Sequence, residues 1–152
     1  MMSWQESGDE TSGDDTGEDE IGENDRPACI CVVDDDAAVR HAMDNLLEAG
    51  GYRPLSFDSG EAFLASPDLD GIDLAVFDVK LRGMDGFALQ ERFAALGLAA
   101  RIPLLFVSGH SDAEMEQRAL KVGALALLRK PIDPDVLFDH FEHALHLRRT
   151  VA

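Results

Sequence analysis

Residues 29–36 read CICVVDDD, an apolar run that passes directly into three aspartates. Five apolar residues without a polar interruption are typical of a strand that is buried on both faces of a parallel sheet. Apolar residues then recur at the spacing of one helix face, at Val39, Met43, Leu46 and Leu47. The segment therefore predicts a strand, a short acidic loop and a helix.

The same alternation continues along the chain. Further strands are predicted at residues 52–56, 74–77, 102–107 and 125–128, each followed by an amphipathic segment. Ser59, Asp112 and Asp133 stand where they can cap the following helices. Five βα units predict an α/β fold in which a five-stranded parallel sheet carries helices on both faces.

Acidic residues outnumber basic ones by 30 to 13, which gives the 152-residue chain a formal charge of −17. A hydrophobic share of 45% is enough for the core of one ordinary domain. Nucleic acids and anionic membranes favour clustered Lys and Arg. The composition therefore predicts neither a nucleic-acid partner nor a membrane partner.

The charge is concentrated at the amino terminus. Residues 1–26 hold ten acidic residues and one basic residue, with few apolar side chains. We expect a disordered acidic tail there, either a solubilising extension or a decoy for a basic partner. Residues 27–148 are expected to form the folded domain, followed by a short end at 149–152 and by no output domain. The tail has neither the positive start nor the apolar run of a targeting peptide.

Cys29 and Cys31 lie two residues apart in the first strand. Their side chains would point to the same side of that strand, too close along one chain for ordinary disulfide geometry. The spacing also matches no zinc or CxxC pattern. We expect reduced core thiols and a cytoplasmic protein.

Polar residues follow four of the predicted strands. Asp34 and Asp35 come after the first, Asp78 after the third, Ser108 after the fourth and Lys130 after the fifth. The carboxyl ends of parallel strands meet at one sheet edge, where ligands bind in such folds. Three neighbouring carboxylates repel one another unless a cation lies between them, and hard oxygen ligands suit Mg²⁺.

Together these residues favour phosphoryl transfer to a carboxylate. A metal and Lys130 would neutralise the phosphoryl oxygens, and one aspartate would act as the nucleophile. Each residue alone has a simpler explanation, because an Asp at a strand end often caps a helix and Ser-Gly or Lys-Pro often marks a turn. Their joint occurrence at successive strand ends favours the chemical interpretation.

The sequence resembles the receiver domain of two-component response regulators over roughly residues 28–146. The resemblance implies a flavodoxin-like fold with strand order 2-1-3-4-5. It rests on motifs that agree in order and spacing: Val32-Val33-Asp34-Asp35-Asp36, Phe77-Asp78, Met84-Asp85-Gly86, Val107-Ser108-Gly109-His110, Lys121-Val122-Gly123-Ala124 and Arg129-Lys130-Pro131.

The resemblance also implies roles for single residues. Asp78 would accept a phosphoryl group from a histidine kinase or a histidine phosphotransfer protein. Asp35, Asp78 and the backbone carbonyl of Lys80 would bind Mg²⁺, with Asp34 acting mostly through water. Ser108 and Lys130 would contact the bound phosphoryl group.

Two positions depart from the family pattern. Many receivers have a proline four residues after the phosphoacceptor, where this chain has Arg82. We expect greater freedom of that loop and a contact between Arg82 and a partner. Leu127 replaces the aromatic residue that turns inward on activation in family members, so that mechanism does not carry over.

Other polar side chains receive less specific interpretations. Lys80 and His110 are expected to tune the lifetime of an acyl phosphate, because neighbouring groups admit or block the attacking water. The histidines of the last helix and His41 of the first are expected to face solvent.

The sequence thus predicts a single-domain response regulator, monomeric or weakly dimeric, that signals through contacts with an unknown target protein. Docking, phosphate relay and phosphate sink remain open roles. It would be no enzyme beyond self-catalysed phosphotransfer and dephosphorylation. One alternative is a receiver fold that binds partners without phosphate. Another is a phosphatase of the haloacid dehalogenase type, with Asp34 as nucleophile and Asp36 as acid and base, although Ala38 and the lack of a later acidic pair disfavour it.

Overall fold

The computed structural model describes residues 26–151, with side chains described through His146. The acidic tail predicted for residues 1–26 lies outside the described residues, apart from Arg26. Two short 3-10 turns, Leu69–Gly71 and Leu98–Ala100, supplement the strands and helices. In chain order these are β1 (Cys29–Val33), α1 (Ala37–Ala49), β2 (Arg53–Phe57), α2 (Gly60–Ala65), β3 (Leu74–Asp78), α3 (Gly86–Ala95), β4 (Leu104–Ser108), α4 (Ala113–Lys121), β5 (Leu127–Arg129) and α5 (Pro134–Val151).

The strands form one parallel sheet in the order β2-β1-β3-β4-β5. This confirms the predicted α/β class and the strand order 2-1-3-4-5. Val33 pairs with Phe77, and Asp78 pairs with Val107. The carboxyl ends of β1, β3 and β4 are therefore nearly level, which brings the residues that follow them to one edge.

Alternate residues of β1 fill two separate cores, as expected for a strand covered on both faces. Cys29, Cys31 and Val33 pack with Phe63 of α2 and with residues of α3 and α4. Ile30 and Val32 face the opposite side, where residues of α1 and α5 cover the sheet. Both cysteines are buried free thiols, in agreement with the prediction. Burial raises the pKa of the Cys31 thiol well above its usual range.

Four strands differ from the sequence prediction by one or two residues at an end. The strand predicted at 74–77 is Leu74–Asp78. The strand predicted at 52–56 is Arg53–Phe57, because the Tyr52 N–H donates to the Leu47 carbonyl at the end of α1. The strand predicted at 102–107 is Leu104–Ser108, because the Ile102 N–H donates to the Leu98 carbonyl of the preceding turn. The last strand, predicted at 125–128, is Leu127–Arg129.

Helix starts agree with the sequence. Ser59 accepts a hydrogen bond from the Ala62 N–H, and Asp112 accepts one from the Met115 N–H. Asp133 accepts from the Asp135 N–H at the start of α5. These side chains satisfy amide groups that a helix leaves without intrahelical partners. Within residues 26–151, no helix has the length and apolar character needed to cross a bilayer.

Candidate functional site

Three carboxylates meet at the carboxyl edge of the sheet. Asp34 and Asp35 follow β1, and Asp78 is the last residue of the neighbouring strand β3. One oxygen from each of the three lies within 4.8 Å of the others. Asp34 and Asp78 are almost completely buried, at 1% and 4% exposure, whereas Asp35 is partly open to solvent. The structure thus brings together the aspartates that the sequence singled out.

Lys130 reaches this cluster from the end of β5. Its Nζ atom donates to Asp34 Oδ2 at 2.9 Å and to Asp78 Oδ2 at 2.8 Å. Its backbone N–H donates to the Ser108 carbonyl at 2.9 Å, which ties the residue to the end of β4. The peptide bond between Lys130 and Pro131 is cis. One ammonium group therefore bridges two buried carboxylates.

The electrostatics of Asp78 and Lys130 reflect this crowding. Burial raises the pKa of Asp78, the Lys130 hydrogen bond opposes that change, and the neighbouring Asp34 charge adds to it. Burial lowers the pKa of Lys130, but its hydrogen bonds to Asp78 and Asp34 outweigh burial and leave that pKa raised. Lys130 is therefore a cation at neutral pH.

The loop after β1 holds Asp34 from several sides. Asp34 Oδ1 accepts a hydrogen bond from the Asp36 N–H at 2.9 Å, and the Asp34 carbonyl accepts one from Arg40 at 2.7 Å. Asp36 itself is exposed and caps α1 by accepting from the Ala38 N–H at 2.9 Å. That capping contact gives Asp36 a structural role, which weakens its alternative interpretation as a phosphatase acid and base.

The loop between β3 and α3 packs closely beneath Asp78. Asp78 Oδ1 accepts a hydrogen bond from the Lys80 N–H at 3.2 Å. The Gly86 N–H donates to the Val79 carbonyl at 2.8 Å. A β-carbon at Gly86 would lie 2.3 Å from the Asp78 carbonyl oxygen, so the close approach requires glycine.

Arg82 contacts Asp35 within the chain. Its backbone N–H donates to Asp35 Oδ2 at 3.0 Å, and its Nε atom lies 3.5 Å from the same oxygen. Its Nη2 atom donates to the Asp35 carbonyl at 3.4 Å. The sequence marked Arg82 as a departure and predicted a partner contact, but it did not identify Asp35. The sequence signal for this contact was the presence of a backbone N–H at residue 82, where many receivers have proline.

Ser108 is completely buried at the end of β4. Its hydroxyl donates to the His110 carbonyl and accepts from the His110 N–H at 3.2 Å. The side chain is thus directed at the main chain of the next turn. Lys80 and His110 are both exposed beside the site.

The donor set fits a hard divalent cation. Three carboxylate oxygens in a small space are the ligands that Mg²⁺ prefers, and Asp35 keeps one side accessible to water. Two of the three carboxylates also share the Lys130 charge, so a bound ion would not have to neutralise the whole cluster.

An open cleft of about 610 Å³ adjoins Asp35. It lies between the β3–α3 loop and the start of α4, and its lining includes Phe87 and Met115. The Arg118 guanidinium stacks over the Phe87 ring at 4.1 Å from the centroid. Of the three aspartates, Asp35 alone lines this cleft.

Comparison with known proteins agrees with this geometry. The family model described as the response regulator receiver domain matches residues 30–142. The chain belongs to this family. Receiver domains are phosphoacceptor signalling domains that accept phosphate from histidine kinases and bind Mg²⁺ at an acidic pocket. The family resemblance inferred from the sequence is confirmed.

Curated relatives include the transcriptional regulatory protein FixJ of Bradyrhizobium diazoefficiens, 38% identical over 117 residues, which cover 76% of this chain and 56% of FixJ. The response regulator protein TmoT of Ectopseudomonas mendocina is 36% identical over 124 residues, which cover 82% of this chain and 56% of TmoT. The chain therefore spans about half the length of these relatives.

Among solved structures, a receiver domain protein from Methanospirillum hungatei JF-1 superposes with a TM-score of 0.73 at 27% identity. The match covers 83% of this chain and 99% of that one. The described receiver fold thus accounts for that structure almost completely.

The histidines of α1 and α5 and the departure Leu127 were also singled out by the sequence. His41, His143 and His146 are exposed, as predicted, whereas His140 is half-buried. Leu127 is half-buried at the start of β5 and packs against the core on the α3 and α4 side of the sheet.

Proposed function

We propose that this receiver accepts a phosphoryl group on Asp78 from a histidine kinase or a histidine phosphotransfer protein. The observation that carries the proposal is the Lys130 bridge, which places an ammonium group 2.8 Å from the Asp78 carboxylate beside two further aspartates. Among the three carboxylates, Asp78 ends the central strand and adjoins both Lys130 and the β3–α3 loop.

The transfer forms one bond and breaks one. An Asp78 carboxylate oxygen attacks the phosphorus atom of a phosphohistidine, the phosphorus–nitrogen bond breaks, and the imidazole nitrogen takes a proton from solvent. Lys130 holds negative charge that develops on the phosphoryl oxygens. The product is an acyl phosphate on Asp78. Later attack of water on the phosphorus atom breaks the bond to the Asp78 oxygen, releases inorganic phosphate and restores the carboxylate.

Mg²⁺ is the cofactor of this proposal. Asp35, Asp78 and the Lys80 carbonyl would hold it, with Asp34 acting mostly through water. The ion would supply positive charge that stabilises the phosphoryl oxygens. Asp34 meanwhile holds Lys130 in place through its 2.9 Å contact. Ser108 would donate to the phosphoryl group, which requires its hydroxyl to leave the His110 carbonyl.

Output is proposed to pass through contacts with another protein, by docking, relay or phosphate storage. FixJ is named a transcriptional regulatory protein, and its match to this chain spans 56% of its length. Relatives of that kind make a transcription-linked pathway one candidate context. The absence of nucleic-acid contacts by residues 27–148 remains part of the proposal.

Intact-mass measurement after incubation with acetyl phosphate and Mg²⁺ tests the proposal. The wild-type chain should gain one phosphoryl group, and Asp78→Asn should gain none. Asp70→Asn, in the exposed pair with Arg101, is the matched control and should gain the phosphoryl group as the wild type does. Absence of a mass gain in the wild type would overturn phosphorylation at Asp78 and favour a receiver fold that binds partners without phosphate.

A further inference from the structure

The three aspartates are neutralised by two different cations of the chain itself. Lys130 lies between Asp34 and Asp78, at 2.9 and 2.8 Å. Asp35 instead receives Arg82, through the backbone N–H at 3.0 Å and Nε at 3.5 Å. Both Arg82 groups approach the same oxygen, Oδ2. Asp35, the carboxylate most open to water, is thus paired with Arg82 instead of Lys130.

The contact between Arg82 and Asp35 can be broken at little cost in free energy. The Arg82 side chain is 85% exposed, so its guanidinium is already largely solvated while the contact is present. The next residue, Gly83, has a φ of +74°, a conformation that glycine adopts readily. Asp35, at 23% side-chain exposure, lies at the mouth of the cluster.

We propose that Arg82 is an intramolecular competitor for Asp35 and thereby sets the Mg²⁺ affinity of the site. A divalent cation that takes Asp35 as a ligand must replace the hydrogen bonds and charge that Arg82 supplies. The free energy of the Arg82 contact is therefore subtracted from that of ion binding. This inference rests on the proposed metal site and concerns a property of this chain's own loop.

Two substitutions separate the side-chain and backbone parts of the contact. Arg82→Ala removes the guanidinium and retains the N–H donor to Asp35. Arg82→Pro removes both, because proline has no N–H. An exposed ion pair corresponds to a factor of about two to five in an equilibrium constant. Arg82→Ala should tighten Mg²⁺ binding by about that factor, and Arg82→Pro should tighten it at least as much.

Arg101 provides a matched control. Its Nη2 atom forms an exposed ion pair with Asp70 at 3.3 Å, next to the amino ends of the strands and therefore at the opposite edge of the sheet. Arg101→Ala changes the net charge by the same amount as Arg82→Ala and also removes an Arg–Asp pair. It should leave Mg²⁺ binding unchanged, because the charge is screened over that distance.

The test is isothermal titration of MgCl₂ into chelator-treated chains of residues 1–152: wild type, Arg82→Ala, Arg82→Pro and Arg101→Ala. In ¹⁵N-arginine-labelled wild type, the Arg82 Nε–H resonance should also shift with the calorimetric midpoint, while that of Arg101 stays in place. Equal affinity in the wild type and Arg82→Ala, or an equal gain in Arg101→Ala, would overturn competition and leave the proposed phosphoacceptor intact. Absence of Mg²⁺ binding in all four chains would overturn both the competition by Arg82 and the Mg²⁺-dependent function proposed above.

Discussion

Lys130 and Arg82 approach the same aspartate cluster in contrasting environments. Lys130 bridges the two buried carboxylates, and its own side chain is 23% exposed. Arg82 is 85% exposed and pairs with the most open of the three aspartates. Removing one partner from a buried pair leaves a charge without compensation, whereas an exposed pair contributes little to stability. Lys130 is therefore part of the folded framework, and Arg82 is an adjustable contact.

The largest effect on stability is expected from removing the Lys130 ammonium group. Lys130→Met keeps the side-chain volume and leaves Asp34 and Asp78 without their shared cation. The free energy of unfolding at neutral pH should fall by about 2–3 kcal/mol, less than for a fully buried pair because water reaches Lys130. Arg82→Ala should change it by about 1 kcal/mol or less. Urea denaturation with a chelator present measures both.

A second substitution shows whether carboxylate repulsion causes the loss. Adding Asp78→Asn to Lys130→Met removes one of the two uncompensated charges and should recover part of the lost stability. A Lys130→Met loss as small as that of Arg82→Ala would contradict the contrast between the two cations. A double mutant less stable than Lys130→Met would assign the loss to packing instead of charge.

The next effect concerns the base of the loop that carries Arg82. Gly86→Ala would place a β-carbon 2.3 Å from the Asp78 carbonyl oxygen and 2.8 Å from Val79 Cα, both backbone atoms. The backbone must shift, at a cost of about 1–3 kcal/mol. Thermal and urea unfolding measure this cost. Gly71→Ala is the control, because no atom outside its chain neighbours lies within 4 Å of the added carbon.

If Gly86→Ala lowered the free energy of unfolding no more than Gly71→Ala does, the backbone around Gly86 would adapt to the added carbon at little cost. The contrast would then hold only between the Lys130 and Arg82 side chains, and the β3–α3 loop as a whole would be adjustable.

The smallest expected effect is a pH dependence of the free energy of unfolding that arises from the buried Asp78 carboxyl group. The raised pKa of Asp78 means that the folded state keeps this proton to higher pH than the unfolded state. The folded state therefore binds more protons between about pH 3.9, the ordinary aspartate value, and the raised pKa, and stability falls as pH rises through that window. Asp78→Asn lacks this titration. Its free energy of unfolding relative to wild type should rise with pH there and then level off.

Metal-free urea titrations carried out from acidic to neutral pH measure the difference. A difference that falls with pH would show that Lys130 outweighs burial at Asp78, and the direction of the pKa change would be wrong. Arg82→Ala is the matched comparison, since it leaves the Asp78 carboxylate in place.

The sequence predicted the framework because strand patterning and polar strand ends follow from periodic burial. The run from Cys29 to Asp36 determined the first βα unit, and Asp78 and Lys130 followed from their positions after later strands. Boundaries were less predictable. Tyr52, for example, has strand-like chemistry, but its N–H is used by the end of α1.

The finer contacts of the site depended on side-chain directions that no spacing encodes. The Arg82 contact with Asp35 joins residues 47 positions apart through a loop, and several exposed basic residues could have served equally well by sequence. The direction of the Ser108 hydroxyl toward the His110 main chain is a rotamer choice within a short turn. Such choices are set by tertiary packing around the strand ends.

Chemical mapping of the phosphorylated residue shows directly whether Asp78 is the phosphoacceptor. After incubation with acetyl phosphate and Mg²⁺, borohydride reduces an acyl phosphate on aspartate to homoserine, which peptide mass spectrometry can locate. We expect homoserine at position 78 and unmodified aspartate at positions 34 and 35. Homoserine at position 34 would contradict phosphorylation of Asp78 and favour the phosphatase-like arrangement.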